Sequence, residues 1–460
     1  MQWTKGDLVA EGKTKKIFRT LEDPVMGIFE AGNNITAHDD PAFTKQFDAK
    51  PRLATQTNCN VFSLLKVCGV PVAFEARISE TEFVAPIVKM IPLEIIARRV
   101  ADGSYLKRMP HYKRDGERLH QFHRLVTEFF LKTSGGKLVV DGKTLVDNLP
   151  QIPAQKKGDT KPMDDPFITN PHKEDLWNLA DPKKPIWEKG ALLEQTAIPS
   201  EVLFLSSGII NPMTGEKWTA TGIMEELDRL NRWAFLIMEK AWGMLGFKLG
   251  DWKIECGFTE DGRIVIADVI DNDSWRLRDK ENREKSKQVF RDHGLTHEVE
   301  INYAQISELS DRFQLPKQAL VIWKGSPDDK SPEVPEIPGV QKIEIVLSGH
   351  KKSQACLAKL EELQRDYPDG GVILAMVGMS NGLGPVLSSH TSWPVIGVPV
   401  SAKEFPDDVW SSLRLPSQNP MVTILSDKNA VLFALNILGQ KNPAAYMTRQ
   451  LAIEQLDSGY

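Results

Sequence analysis

Only four cysteines occur in 460 residues. Cys59, Cys68, Cys256 and Cys356 form no C-x-x-C pair, and no His/Cys cluster has zinc-ligand spacing. Nothing therefore points to a disulfide framework or to a structural zinc site. No run of about 18 uninterrupted apolar residues is present, so no membrane partner is expected. Residues Met1 to Asp7 hold no apolar signal core, and a reducing, cytoplasmic setting is the expectation. An excess of positive charge is also missing. Lysine and arginine number 57 against 62 aspartates and glutamates, a net charge of −5. That balance argues against a general nucleic-acid binder and leaves room for local basic pockets that take small anions. There is no internal repeat or low-complexity tract.

What is present fits an α/β protein of two or three domains. Residues 1–85 read as a strand-rich lobe around one helix, since Leu8 to Phe18 resembles a strand, a glycine turn and a second strand. Arg52 to Val67 carries helical spacing at Leu53, Val61, Leu64 and Leu65. Residues 86–300 form a larger lobe with a polar, Pro/Gly-rich inserted loop near 133–175 and a helix from about Met224 to Gly243. A linker helix follows at 301–318. From residue 319 to 460, short apolar runs (Ala319 to Trp323, Ile343 to Leu347, Gly371 to Met376, Trp393 to Val398) alternate with helical stretches such as Lys351 to Arg365. That is the pattern of a parallel sheet covered on both faces.

Two stretches carry chemistry. Trp252, Ile254, Cys256 and Phe258 alternate with Lys253, Glu255 and Gly257, and Thr259 to Gly262 supplies a turn before Arg263 to Asp268. A four-residue loop predicts Phe258 opposite Arg263 and Lys253 opposite Asp268, which puts Lys253, Glu255 and Asp268 on one side. Two carboxylates on rigid strands suit Mg²⁺ when a nucleotide supplies the other oxygens. An ordinary hairpin with a solvated charged face is the plainer alternative. Met379 to Val386 is a glycine-rich turn between apolar runs, the second place where an anion could sit.

The motifs Glu11 to Lys15, Met90 to Glu94, Arg98 to Arg108 and Asp268 to Arg276 resemble the phosphoribosylaminoimidazole-succinocarboxamide (SAICAR) synthetase family. Residues 319–455 resemble the animal phosphoribosylaminoimidazole (AIR) carboxylases. The order of the halves is that of the bifunctional enzymes of purine synthesis. The resemblance implies a two-lobed α+β ATP-binding synthetase followed by a three-layer α/β domain. Its cofactors would be ATP and Mg²⁺, and its small-molecule partners the ribotide, aspartate and CO₂ or bicarbonate. Self-association as a homo-octamer through the C-terminal domain is implied as well.

Residue by residue, the resemblance implies that Lys13 and Lys15 meet ATP phosphates and that Lys89, Met90 and Glu94 line the adenine side. Glu255 and Asp268 hold the metal. Lys253 and Asp273 are the candidate catalytic residues, Asp273 orienting the imidazole. Arg98, Gly103, Ser104, Arg276, Lys287 and Arg291 join in binding the ribotide, and Lys50 stands where a glycine-lysine turn is expected. In the second half, His350 falls on the proton-transfer histidine, with Ser326, Ser348, Lys351, Ser380 and Asn381 on three glycine-rich turns around the ribotide. Departures concentrate in the first of these turns. Pro327 interrupts it, and Pro332, Pro335 and Pro338 follow. An interior proline costs a helix roughly 3 kcal/mol, so the helix whose N-terminus receives phosphate is expected to be missing or remodelled. Met379 stands where the resemblance implies an arginine. A monofunctional synthetase whose C-terminal domain serves assembly stays open beside the two-activity reading.

Overall fold

The computed structural model describes residues 2–12, 14–36, 44–103, 105–106, 109–114, 119–132, 137–140, 143–146, 151–153, 160–162, 167–168, 208–294 and 297–456. Lys13, Ser104 and most of the 133–175 loop lie outside them. The chain divides into two compact units, Met1–Lys66 with Val70–Phe313, and Gln314–Tyr460 with Val67–Gly69.

The first unit is built on two antiparallel sheets. One contains β1 (Lys5–Glu11), β2 (Lys15–Thr20), β3 (Met26–Ala31), β4 (Ala76–Arg77) and β5 (Glu82–Pro86), in the order β1-β2-β3-β5-β4. Pairing Ile17 with Phe29 and Phe29 with Phe83 lines up their apolar side chains, and the two phenyl rings stack at 5.0 Å. Helix α1 (Lys50–Val67) buries Leu53, Val61, Leu64 and Leu65, the positions its spacing predicts. It starts two residues earlier than expected, which brings Lys50 inside the fold at 3% exposure.

The second sheet runs β9-β8-β7-β10-β11, from β9 (Phe167–Ile168), β8 (Gln121–Leu131), β7 (Leu93–Val100), β10 (Lys248–Phe258) and β11 (Ile264–Ala267). Strands β6 (Lys89–Met90) and β12 (Trp275–Arg278) add to β10. Helix α2 (Ala220–Met244) packs on β7 and β10. It buries Ile223, Leu227, Leu230, Ala234, Met238 and Ala241 at helical spacing, and Trp252 on β10 donates its indole N–H to Asn231 at 2.9 Å. The larger of these side chains are each worth roughly 1.5–3 kcal/mol when fully buried, so the apolar face of α2 fixes β10 and the charges it carries.

Two expectations are corrected here. Glu255 pairs with Ala267 and Phe258 with Ile264, one residue out of the predicted register. The turn takes in Arg263, whose carbonyl accepts from Thr259 N at 2.9 Å, so Lys253 does not face Asp268. The expected linker helix is α4 (His297–Ser310), after the short α3 (Gln288–His293), and it belongs to the first unit. Its Val299 and Tyr303 pack with Phe47, Leu53 and Phe290, because its apolar face is what closes that core.

The second unit has a wholly parallel sheet in the order β14-β13-β15-β16-β17, from β13 (Gln318–Lys324), β14 (Val340–Val346), β15 (Gly371–Val377), β16 (Val395–Pro399) and β17 (Val422–Thr423). Ala319, Val321 and Trp323 pack with Ile373 and Ala375 under α5 (Ser353–Asp366) and α6 (Leu383–Ser388). Helix α7 (Asp427–Leu438) contacts β15 and β16 and carries α8 (Pro443–Leu456), giving three layers. No helix intervenes between β13 and β14. After a turn at 325–329 the chain is irregular through Pro332 and Pro335, as the prolines predict.

Candidate active site

In the first unit, a cavity of about 240 Å³ opens between the two sheets. Its apolar wall is Ile17, Phe29, Phe83, Ala85, Val88 and Met90, and its charged end is Lys15, Lys132, Glu255 and Asp268. Glu255, 5% exposed, takes both oxygens to Lys132 Nζ at 2.7 and 2.5 Å. Asp268 pairs with Lys15. It reaches the cavity from just beyond β11 with φ +64, so a left-handed bend, and not ladder register, aims it there. Burial is the first cause of the Lys15 pKa falling to about 8, with Lys132 and Lys253 adding to it and Glu255 and Asp271 opposing. Glu255 would be raised by burial, but Lys132 and Lys253 hold it below its usual value. Lys253 pairs with Glu94 and lies 3.6 Å from Glu255.

Alternation along β6 sends Met90 into this cavity, while Lys89 lines a different one with Arg19 and Phe258. Lys132 is the residue sequence reasoning missed, and its partner Glu255 is 123 positions away.

A second cluster centres on Asp273. Its Oδ2 accepts from Lys50 at 2.8 Å and Lys287 at 3.0 Å, and Tyr303 donates its hydroxyl to Oδ1. Burial alone would raise the Asp273 carboxyl, but the charges of Lys50 and Lys287 take it well below the carboxylate range. Asp271, 6% exposed, moves the other way, to about 6, because burial and the Asp273 charge outweigh Lys50 and Lys287. Arg291, at the edge of this cluster, is exposed and reaches Gln288 at 3.4 Å. Lys50 stands where the sequence places a glycine-lysine turn; Tyr303 carries no local signal.

A third group joins Arg98, Asp251 and Arg276. Arg98 is 2% exposed, bonded to Glu128 at 2.6 Å and to Asp251 Oδ2. That oxygen also accepts from Arg276 at 2.5 Å. Arg98 thus holds Asp251, which holds Arg276. Gly103, with φ +53, packs against the Arg276 guanidinium.

The three turns of the second unit stand at the carboxyl ends of β13, β14 and β15, where parallel sheets bind ligands. His350 Nε2 bonds the Ser380 carbonyl at 2.8 Å. A carbonyl only accepts, so Nε2 carries the proton and Nδ1 is the nitrogen able to take one. Gly382 leaves the space that this imidazole fills: a methyl there would meet it at 2.2 Å. Ser380 N donates to both oxygens of Asp408 at 2.9 and 3.0 Å. Ser348 Oγ accepts from Lys351 N at 3.4 Å, and the Lys351 side chain is free in solvent. Asn381 is 7% exposed and bonded to Ser412 and Gly384, so it braces the third turn. In the first turn, Ser326 N is taken by Asp329 Oδ2 at 2.8 Å. Met379 is 58% exposed.

Among known proteins, the SAICAR synthetase family matches residues 8–141 and 211–308, and the AIR carboxylase family matches 333–455. The "Probable multifunctional protein ADE2" of Caenorhabditis elegans is 31% identical over 97% of this chain and 93% of its own length. The chain belongs to the bifunctional AIR carboxylase/SAICAR synthetase family. The rat "Bifunctional phosphoribosylaminoimidazole carboxylase/phosphoribosylaminoimidazole succinocarboxamide synthetase" is 30% identical over 95% and 91%. A Chloroflexus aggregans phosphoribosylaminoimidazole-succinocarboxamide synthase is 32% identical over 67% of this chain and 97% of its own. The chain thus carries a SAICAR synthetase domain and an AIR carboxylase domain of purine biosynthesis. The carboxylase match begins after the first turn.

Proposed function

We propose that the first unit ligates L-aspartate to the carboxyl group of carboxyaminoimidazole ribotide at the expense of ATP. The observation that carries this reading is the cavity in which Glu255 and Asp268 face Lys15 and Lys132 beyond an apolar wall. Adenine would occupy the wall between Phe29, Phe83, Val88 and Met90, with the triphosphate on Lys15 and Lys132. Two carboxylates without nitrogen or sulfur donors suit a hard cation that keeps phosphate and water oxygens, which fits Mg²⁺. When bound there, Mg²⁺ neutralises charge as the γ-phosphoryl group moves.

The chain's own residues do the rest. A carboxylate is a poor electrophile, and phosphorylation to an acyl phosphate makes it reactive toward the aspartate amine. Arg276, clamped by Asp251, takes the ribotide phosphate as a fork, with the small Gly103 allowing close approach. Lys253, steered by Glu94, meets the ribotide carboxylate near the γ-phosphoryl. Asp273 holds Lys50 and Lys287 around the imidazole end. ADP release that depends on the carboxylated ribotide and is matched by succinocarboxamide when aspartate is added tests this reading; ADP release that does not depend on the ribotide would contradict it.

The second unit carboxylates aminoimidazole ribotide, with His350 Nδ1 moving the ring proton. Because Ser326 N is occupied and no helix follows the first turn, this site holds phosphate with fewer donors than the resemblance implies. A raised KM for the ribotide is the consequence. Phe405, Trp410 and Leu413 of this unit are 46%, 52% and 53% exposed. We assign that surface to self-association as an octamer in the cytoplasm, and light scattering at eight times 51.6 kDa would support it.

A further inference from the structure

The Arg276 guanidinium is held on two sides. Asp251 Oδ2 accepts from its Nη1 at 2.5 Å, and its Nη2 lies against Gly103, where a methyl would come within 2.1 Å. On the first side, Asp251 is braced by Arg98. The Gly103 side has a brace of its own, which the ligation chemistry leaves unused.

Asp102 is the centre of that brace. Its Oδ1 accepts from Gly103 N at 2.7 Å, and its Oδ2 accepts from Arg278 Nη2 at 2.9 Å. Arg278 stands two residues beyond Arg276 on β12, so the two side chains leave the same face of the strand. Arg278 is itself fixed. Its Nη2 lies 3.2 Å from Glu284 Oε2, its Nη1 donates to the Asn282 carbonyl at 3.2 Å, and its backbone bridges Glu284. Glu284 accepts in turn from Ser286 Oγ. An unbroken line of contacts thus runs from Ser286 and Glu284 through Arg278 and Asp102 to the Gly103 turn, and ends on Arg276.

Resting on the reading that Arg276 takes the ribotide phosphate, we propose that Asp102 and Arg278 are its positioning pair. Arg278 fixes Asp102, and Asp102 seats the Gly103 turn against the guanidinium. An arginine held between two supports loses less side-chain freedom on gripping a phosphate than a mobile one, and meets it already aligned. Neither member of the pair has to meet the substrate. The sign of the charge separates this role from simple electrostatics. Asp102 is an acid beside a phosphate site, so by charge alone its removal would tighten ribotide binding; as a positioning residue, its removal weakens it.

The test assays the full chain with ATP, Mg²⁺, aspartate and carboxylated ribotide, each substrate varied in turn, in wild type, Asp102→Ala, Arg278→Met and the double variant. In Asp102→Ala the KM for the ribotide rises about tenfold, while kcat and the KM values for ATP and aspartate stay within about twofold. Arg278→Met raises the same KM, and the double variant is no worse than Asp102→Ala, because Arg278 acts through Asp102. Asp102→Asn, which keeps an acceptor for Gly103 N and gives up the ion pair, falls between wild type and Asp102→Ala. With the carboxylated riboside, which lacks the phosphate, kcat/KM of Asp102→Ala falls by less than about twofold. The proposal is overturned by a ribotide KM in Asp102→Ala that is unchanged or lower, by a loss on the riboside as large as on the ribotide, or by a double variant whose loss is the product of the single ones. An Arg276→Met variant with the wild-type KM for the ribotide would instead overturn the phosphate reading of that site, and the role of the pair with it.

Discussion

A methyl group built on Gly103 would lie 2.1 Å from Nη2 of Arg276. The glycine is at φ +53, so its missing side chain serves both the turn and the room for the guanidinium. Arg276 cannot simply swing away, since Asp251 holds its Nη1 and Arg98 holds Asp251. Gly103→Ala should therefore displace the fork. A charged hydrogen bond is worth about 1.5–3 kcal/mol, so KM for the carboxylated ribotide should rise by roughly ten- to a hundredfold, with KM for ATP nearly unchanged. Steady-state kinetics with each substrate varied in turn checks this.

Asp273→Asn removes the countercharge from Lys50, whose side chain is 4% exposed. Breaking one partner of a buried ion pair costs about 3–5 kcal/mol. The loss should fall at the lower end, because Asp271 stays close to Lys50. Urea unfolding at pH 7 measures it; a variant as stable as wild type would remove Asp273 as the hub of that cluster.

These two predictions rest on features that the sequence revealed unequally. The parallel sheet of the second unit was legible because its central strands are buried on both faces and read as unbroken apolar runs. The hairpin was legible by alternation, but its register was not: periodicity cannot say whether Arg263 closes the turn or opens the strand, and one residue decides which side chains share a face. Glu255 and Asp268 were found, yet for a register that β10 and β11 do not adopt; the left-handed bend at Asp268 brings them together. Lys132 and Tyr303 were missed because a lone lysine after Phe129 to Leu131 and a tyrosine inside an apolar helix face carry no local mark. Their meaning comes from partners distant in sequence. Arg98 was legible as a candidate, but nothing local shows that Glu128 and Asp251 enclose it.

Lys132→Met should weaken nucleotide binding. It also removes the nearest countercharge from Glu255, whose side chain is 6% exposed, so it should cost stability as well. Loss of the lysine beside the phosphates should raise the dissociation constant for MgADP by about tenfold, measured by calorimetry.

Asp271 should cost the protein stability at neutral pH. Its folded pKa of about 6 lies above the ordinary aspartate value of 3.8, so the folded state binds the proton more tightly. Stability from this group is fully present below pH 3.8 and is lost as pH rises through about 6. Asp271→Asn should accordingly be more stable than wild type at pH 7.5, with the gap narrowing toward pH 4. Denaturant midpoints at the two pH values test the sign, and a variant less stable at pH 7.5 would reverse it.

The central claim is that both domains of this chain work. Purified protein would be given aminoimidazole ribotide with bicarbonate, ATP, Mg²⁺ and aspartate, with carboxylated ribotide and a His350→Asn variant in parallel, and succinocarboxamide followed. The account predicts product from both ribotides in the wild type, at higher ribotide concentration for the uncarboxylated one, and product only from the carboxylated ribotide in the variant. Product only from the carboxylated ribotide in the wild type as well would contradict it and leave the second unit to assembly.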